Sequence, residues 1–237
     1  MNIFKIIKFI GEKNPKYEMD NLKLPVRPVK GKGYLDDDGL RQGEWEEYFN
    51  RKLKSKGNYK DDKMDGYWEI YRDNGQLESK GNYKDGKMDG YWEFYYKNYR
   101  LHSKGIYKNN EKNGLWEFYH ENRKLESKGN YKDGKRDGVW ERYYENDQLT
   151  SKGNWKDDKK DGYWEVYFPD GKLKEKGNWK NDLKDGYWEG YHSNGQLQSK
   201  GNYKNDEKDG IWEFYNDNGK LSGKGYYKDG EIIGLTN

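Results

Sequence analysis

The chain has 237 residues, 46 Lys and Arg against 43 Asp and Glu, and a formal net charge of +3. Only 31% of the residues are hydrophobic, but 10 Trp and 24 Tyr argue against disorder, because disordered segments are poor in aromatic residues. The sequence has no Cys, so disulfides and thiolate metal sites are excluded, and the small net charge argues against a nucleic-acid-binding protein. We therefore expect a folded protein of the cytoplasm.

Residues 1–10 read MNIFKIIKFI and predict a short amphipathic helix, in which Lys5 and Lys8 share one side. Three roles are open for it: a cap packed on the first repeat, an interfacial membrane anchor, or a contact to a partner protein. Residues 11–30 contain Pro15, Pro25 and Pro28 and predict an extended linker. This gives a first segment over 1–30 and a second over 31–237.

Residues 31–237 are dominated by a repeat of 24 residues. Its most regular member is a tryptophan that recurs at Trp68, Trp92, Trp116, Trp140, Trp164, Trp188 and Trp212, with Trp45 only 23 residues before the first of these. Each unit contains two segments of alternating character, separated by Asn-Gly or Asp-Gly dipeptides that favour tight hairpin turns. We predict an all-β fold, an elongated single antiparallel β-meander of about eight β-hairpin repeats.

The turn positions also predict a register. A two-residue turn at Asn74–Gly75 places Trp68 opposite Gly81, Glu69 opposite Lys80 and Ile70 opposite Ser79. A second turn at Asp85–Gly86 places Tyr83 opposite Met88 and Ser79 opposite Trp92. We expect the ring of Trp68 to cover the bare backbone of Gly81, and each Glu to pair with a cross-strand Lys.

Alternation of side chains then divides the sheet into two faces. We name them the tryptophan face, which carries Trp68, and the tyrosine face, which carries Tyr71. The tryptophan face is predicted to carry also Ile70, Leu77, Ser79, Gly81 and Tyr83, and the tyrosine face Tyr67, Glu69, Glu78, Lys80 and Asn82. Strand twist is expected to make one face a concave aromatic groove.

No residues suggest catalysis, a metal site or a cofactor. The histidines His102, His120 and His192 lack metal-ligand spacing, and the recurrent glutamates are expected to pair with lysine instead of acting as an acid and a base. The acidic run Asp36–Asp38 lacks the spaced ligands of a calcium loop. We therefore expect no enzyme activity and no small-molecule substrate.

The recurring pattern G-x-W-x-x-Y, N-G-x-L, K-G-x-Y and D-G-K-x-D-G resembles the MORN repeat variant, of the type found in bacterial antitoxins of the YwqK family. The resemblance covers about residues 31–237. It implies a non-catalytic module that binds another protein, such as a toxin or a defence nuclease. Eukaryotic MORN proteins imply an alternative role, a membrane-associated scaffold that would use residues 1–10.

The aromatic ladders are the candidate partner-binding residues. Tyr is favoured at protein interfaces, and residues that break the repeat are further candidates because the fold does not require them. Tyr99, Arg123 and Asp147 replace a turn glycine, and Arg142 replaces an apolar residue. The candidates are Trp68, Trp92, Trp116, Trp140, Trp164, Trp188, Tyr71, Tyr95, Tyr119, Tyr143, Tyr167, Tyr191, Arg142 and Tyr99.

Overall fold

The computed structural model describes residues 33–236, and these form strands and turns without a helix. The strands are β1 Tyr34–Leu35, β2 Arg41–Phe49, β3 Lys52–Lys60, β4 Lys63–Tyr71, β5 Leu77–Lys84, β6 Lys87–Tyr95, β7 Leu101–Lys108, β8 Glu111–Tyr119, β9 Leu125–Lys132, β10 Lys135–Tyr143, β11 Leu149–Lys156, β12 Lys159–Tyr167, β13 Leu173–Lys180, β14 Leu183–Tyr191, β15 Leu197–Lys204, β16 Glu207–Tyr215, β17 Leu221–Lys228 and β18 Glu231–Thr236.

Each strand pairs antiparallel with the next, as in the β4–β5 and β5–β6 pairs, so the strands form one open meander. The predicted all-β hairpin meander is confirmed. The predicted helix over 1–10 and linker over 11–30 lie outside the described residues. Within 33–236 there is no helix that could cross a membrane.

The two ends of each hairpin use different turns. At Asp85–Gly86 both residues have positive φ, 51° and 77°, as a type I′ turn requires, so this predicted turn is confirmed. The predicted two-residue turn at Asn74–Gly75 is wrong. Arg72 N donates to Gln76 O at 2.8 Å and Gly75 has φ 83°, which gives a three-residue loop that ends in a left-handed residue.

The first hairpin explains the short spacing between Trp45 and Trp68. Its turn consists of only two residues, Asn50 and Arg51, with φ of 50° and 64°, and it joins Phe49 directly to its partner Lys52. The other units have one loop residue more. The loop length therefore accounts for a spacing of 23 residues in place of 24.

The predicted register is confirmed for Trp68 in the β4–β5 pair and next to the turn in the β5–β6 pair, but not farther along β5–β6. Trp68 lies opposite Gly81, and Tyr83 lies opposite Met88, as predicted. Ser79, however, lies opposite Phe94 and not Trp92. Two additional residues on β6 around Gly90, which has φ 111°, shift the pairing. Because the insertion has an even length, side chains beyond it keep their face.

A one-residue shift at the start of β5 places Leu77 and Glu78 each on the face opposite to the predicted one. Leu77 pairs with Tyr71, so it lies on the tyrosine face and not on the tryptophan face. Glu78 is the extra residue, and its carboxylate accepts a hydrogen bond from Arg72 Nη1 at 2.9 Å. The equivalent residue of the following unit, His102, packs against Phe118 of the tryptophan face.

The core is a layer of tryptophans on the tryptophan face, each packed on the unit before it. Trp92 has no exposed surface, and a Cβ on Gly81 would lie 2.3 Å from its Cδ2. Its Nε1 donates to Asn82 O at 2.9 Å. The expectation that Trp68 covers Gly81 is therefore wrong: Trp92 covers Gly81, and Trp68 covers Gly57.

Hydrogen bonds along the loop edge also join neighbouring units. In five units the side chain that follows the ladder tyrosine donates to a main-chain carbonyl 23 residues later, as Tyr96 does to Tyr119 O at 2.8 Å. His120 and His192 make the same contact to Tyr143 O and Tyr215 O. Phe168 has no polar atom at this position and cannot make it.

We predict that Gly81→Ala destabilises the protein by about 1–3 kcal/mol, because the new methyl group meets an indole that its own hydrogen bond holds in place. The control is Gly223→Ala, since a Cβ there meets nothing within 4 Å, and its effect should stay within about 0.5 kcal/mol. Urea unfolding followed by Trp fluorescence measures both. Equal effects of the two substitutions would contradict the packing described here.

Candidate functional site

The tyrosine face carries a stripe of paired tyrosines and leucines near the loop edge. Each tyrosine ends a strand and lies opposite the leucine that begins the next, as Tyr95 does with Leu101. The tyrosines are half-buried and are Tyr71, Tyr95, Tyr119, Tyr143, Tyr167, Tyr191 and Tyr215. Their partners are Leu77, Leu101, Leu125, Leu149, Leu173, Leu197 and Leu221. The six tyrosines predicted from the sequence therefore share one continuous surface.

A glutamate holds each ladder tyrosine ring in place, and a lysine contacts that glutamate at every described ladder position except Tyr167. Tyr119 donates its hydroxyl to Glu117 Oε2 at 2.7 Å, and Lys104 Nζ lies 2.8 Å from the same oxygen. Burial, and then the bond to Glu117, raise the pKa of Tyr119, so its hydroxyl stays protonated at neutral pH. Because the rings are already ordered, a partner that binds them loses little rotamer entropy.

Each glutamate has a lysine on both sides, and most of the ion pairs join different units. Glu141 and Glu213 pair in addition with Lys152 and Lys224 of their own hairpins, at 3.0 and 2.7 Å. Glu69 lies opposite Lys80 as predicted, but its ion pair is with Lys56 of the preceding hairpin, at 2.7 Å. Glu165 has no lysine within ion-pair distance in the part of the chain described, because Lys152 contacts Glu141 instead. With this exception, the described ladder positions balance their charges locally.

Three successive loops hold strained residues in place of glycine. Tyr99, Arg123 and Asp147 have φ of 64°, 75° and 67°, the left-handed region that other units fill with glycine. Such a conformation costs about 1 kcal/mol for a residue with a side chain. Tyr99 is 66% exposed, so it recovers little of this through packing. Strain of this kind is typical of functional positions.

The first two of these loops border a depression of about 400 Å³ on the tyrosine face. It is lined by Tyr95, Tyr99, Arg100, Leu101, Tyr119 and Arg123. Arg100 donates to the main-chain oxygen of Glu121, whereas the Arg123 guanidinium has no hydrogen bond or ion pair to residues 33–235. The site thus combines apolar rings with one available cation.

Sequence reasoning predicted Tyr95, Tyr99 and Tyr119 at this site but missed Leu101, Arg100 and Arg123 as contact residues. Leu101 was missed because the three-residue loop shifts the register and moves it to this face. Arg123 was recognised as a departure from the turn glycine. Arg123 occupies the same loop position as Tyr99, one unit later. This shared position was the signal that could have identified Arg123 as a contact residue.

The six tryptophans that were predicted as partner-binding residues do not line this depression. Trp68, Trp92, Trp116, Trp140, Trp164 and Trp188 are buried, with 8% exposure or less, and form the core of the opposite face. Their Nε1 atoms all donate to main-chain carbonyls. They offer little surface to a partner, whereas Arg142 is exposed on their face. No group of three or more His, Asp or Glu within 33–235 could hold a metal ion.

A meander of tandem hairpins with a recurrent tryptophan core and an ordered aromatic ladder defines a β-hairpin repeat protein. More specifically, the chain belongs to the MORN repeat variant family. The family profile matches residues 41–61, 64–85, 112–133, 136–157, 160–181, 184–205 and 208–229, together more than half of the chain. Residues 86–111, which include Tyr99 and Leu101, fall between the matches.

No curated protein matches the chain. Solved structures that resemble it include a GtfA/B complex bound to UDP and GlcNAc, at 10% identity and a TM-score of 0.21 over 47% of this chain and 22% of that chain. Another is TcdB2-TccC3-TEV, at 13% identity and a TM-score of 0.21 over 83% of this chain and 13% of that chain. The chain therefore spans less than a quarter of the length of either.

We predict that Tyr99→Gly stabilises the protein by up to about 1 kcal/mol, because glycine adopts the left-handed conformation without strain. The reciprocal control is Gly75→Ala, which places a side chain at the equivalent position and should destabilise by a similar amount. Urea midpoints measure both. A loss of stability in Tyr99→Gly would show that the tyrosine packs productively in the free protein.

A second prediction concerns acid stability. The Tyr143 hydroxyl, followed by Lys128 and Lys152, lowers the pKa of Glu141 to about 2. Because this pKa is lower than in the unfolded chain, the carboxylate stabilises the fold at neutral pH, and this contribution is lost as the pH falls from about 4.5 to 2.

Glu141→Gln should therefore lower the melting temperature at pH 7 and change it less at pH 2.5. The control is Glu145→Gln, which alters an exposed glutamate outside the ladder and should leave both values unchanged. A destabilisation by Glu141→Gln that is equal at both pH values would contradict the assignment.

Proposed function

We propose that this protein is a non-catalytic binding protein that captures another protein on its tyrosine face and so sequesters or inhibits it. The observation that carries the proposal is the depression between Tyr95 and Tyr119, bordered by the strained residues Tyr99 and Arg123. The resemblance to YwqK-type antitoxins favours a toxin or a defence nuclease as the target. The cytoplasm is the proposed compartment.

The energetics of the free protein support this proposal. The left-handed conformations of Tyr99 and Arg123 lower the stability of the free protein. Burial of both side chains in an interface would offset this cost. The ordered rings on either side supply the kind of aromatic contact that dominates protein interfaces. A carboxylate from the partner would meet the unpaired guanidinium of Arg123.

MORN repeats are generally modules that bind proteins or membranes. On the tyrosine face the observations favour a protein. Lysines such as Lys104 are paired with glutamates, so this face has little excess positive charge with which to attract anionic lipid. The scaffold alternative depends on residues 1–10, outside the described part of the chain, and becomes an outcome of the test.

The test begins with affinity capture from native lysate and mass spectrometry, followed by calorimetry with the purified partner. The variant Tyr95→Ala/Tyr119→Ala/Arg123→Ala should weaken binding at least about 100-fold, the effect of losing two interface hot spots. The matched control is Tyr191→Ala/Tyr215→Ala, which alters the same ladder where the loops contain glycine. It should weaken binding less than about 5-fold.

Two results would overturn the proposal. One is equal weakening by both variants, which would remove any special role of the depression. The other is binding to anionic vesicles in place of a protein, lost when residues 1–10 are deleted, which would establish the scaffold role.

A further inference from the structure

The position four residues before each core tryptophan changes character along the tryptophan face. It is Arg41 in the first unit, where the guanidinium pairs with Glu47, and Met64 and then Met88 in the next two units. In the following units it is a cation, and we call these residues the cation row: Lys112, Arg136, Lys160, Lys184 and Lys208. Because methionine fills the same position in neighbouring units, the fold does not require a charge there.

The cations lie over the aromatic layer. Lys112 Nζ is 4.5 Å from the ring centre of Trp116, and Lys208 Nζ is 4.7 Å from that of Trp212. Lys160 Nζ lies 4.7 Å from Trp164 and 4.2 Å from Trp179. Since each core tryptophan packs on a glycine of the preceding strand, the ammonium groups lie on the outer side of the rings.

Most of these cations lack an acidic partner. Arg136 pairs with Asp158 and Lys184 with Glu175, but within 33–235 Lys112, Lys160 and Lys208 have no ion pair. All three lysines are half-buried, so part of each side chain remains exposed to a ligand. The exposed guanidinium of Arg142 adds a further unpaired charge to the same face.

Burial disfavours the charge on these lysines. It lowers the pKa of Lys112 to about 8, an effect that the charge of Asp158 offsets only in part, so the ammonium group is held in an unfavourable environment at neutral pH. On the tyrosine face, by contrast, the equivalent cost is offset, because lysines such as Lys80 and Lys176 contact glutamates at 2.8 Å. Three cations on one face that form no ion pair with residues 33–235 point to an anionic ligand.

The spacing of the row indicates the form of that ligand. Successive cations of the row are two strands apart, about 10 Å, and the three without an ion pair lie at alternate positions, about 19 Å apart. A polyproline II segment has three residues per turn and rises about 3.1 Å per residue, so it presents every third side chain on one side about 9 Å apart. We propose that the tryptophan face binds an extended acidic protein segment in this conformation, with carboxylates at every third residue.

A nucleic acid fits this face less well. Proteins that bind single strands stack the bases on exposed aromatic rings. Here Trp116 and Trp212 are buried, and lysine lies over them. The rings are therefore not available for stacking.

The experiment uses the full chain and the synthetic peptide (Glu-Pro-Pro)5, whose length of about 45 Å spans the five cations. Calorimetry at low salt compares the unaltered protein with Lys112→Met/Lys160→Met/Lys208→Met, in which each methionine copies Met64 or Met88. We expect this variant to bind at least about 30-fold more weakly. A peptide of the same composition with its five glutamates consecutive should bind the unaltered protein about 10-fold more weakly.

The matched control is Lys80→Met/Lys104→Met/Lys176→Met, which makes the same charge change on the tyrosine face and should retain binding within about 3-fold. Equal weakening by both triple variants would overturn the proposal, because net charge alone would then explain binding. It would also fall if the unaltered protein bound neither peptide, bound both equally, or preferred oligothymidylate or anionic vesicles.

The variant Tyr95→Ala/Tyr119→Ala/Arg123→Ala leaves the cation row intact and should bind the peptide normally. Failure of this inference is thereby distinguished from failure of the proposed function.

Discussion

The structure depends on the contact between each core indole and the glycine of the strand before it. The ring of Trp92 occupies the space where any side chain on Gly81 would lie, and its Nε1 is satisfied by the adjacent carbonyl of Asn82. Because of this contact, a single-layer sheet buries its tryptophan rings without a second layer of residues. It also places the core between units and not within them, so no hairpin completes its own core.

Because the tryptophan contact stabilises the fold from one side, the other side is available for different chemistry. On the tyrosine face, Tyr119, Glu117 and Lys104 form a balanced polar group that orders a ring without burying it fully. The tryptophan face has the opposite character, since its core tryptophan rings are buried and Lys112, Lys160 and Lys208 form no ion pair with residues 33–235. The two faces are therefore suited to partners of different chemistry.

The sequence predicts features that single residues determine. The 24-residue tryptophan period identified the hairpins, and Asp85–Gly86 identified a turn because few residues accept its backbone angles. The partner of Ser79 and the face of Leu77 were not predictable in this way, because they depend on insertions around Gly90 and in the loop at Gly75. The same register shift concealed Leu101, although the exceptional residue Tyr99 was evident.

The absence of a donor at Phe168 has a mechanical consequence. At this loop position Tyr96 and His120 tie their unit to the next, whereas phenylalanine leaves the Tyr191 carbonyl without that link. The preceding junction is also weaker, since Glu165 lacks the lysine contact of its counterparts. A pulling force applied along the array would separate the repeat units first at these two junctions. The protein would then yield as two halves of unequal length, each still folded around its own stacked indoles.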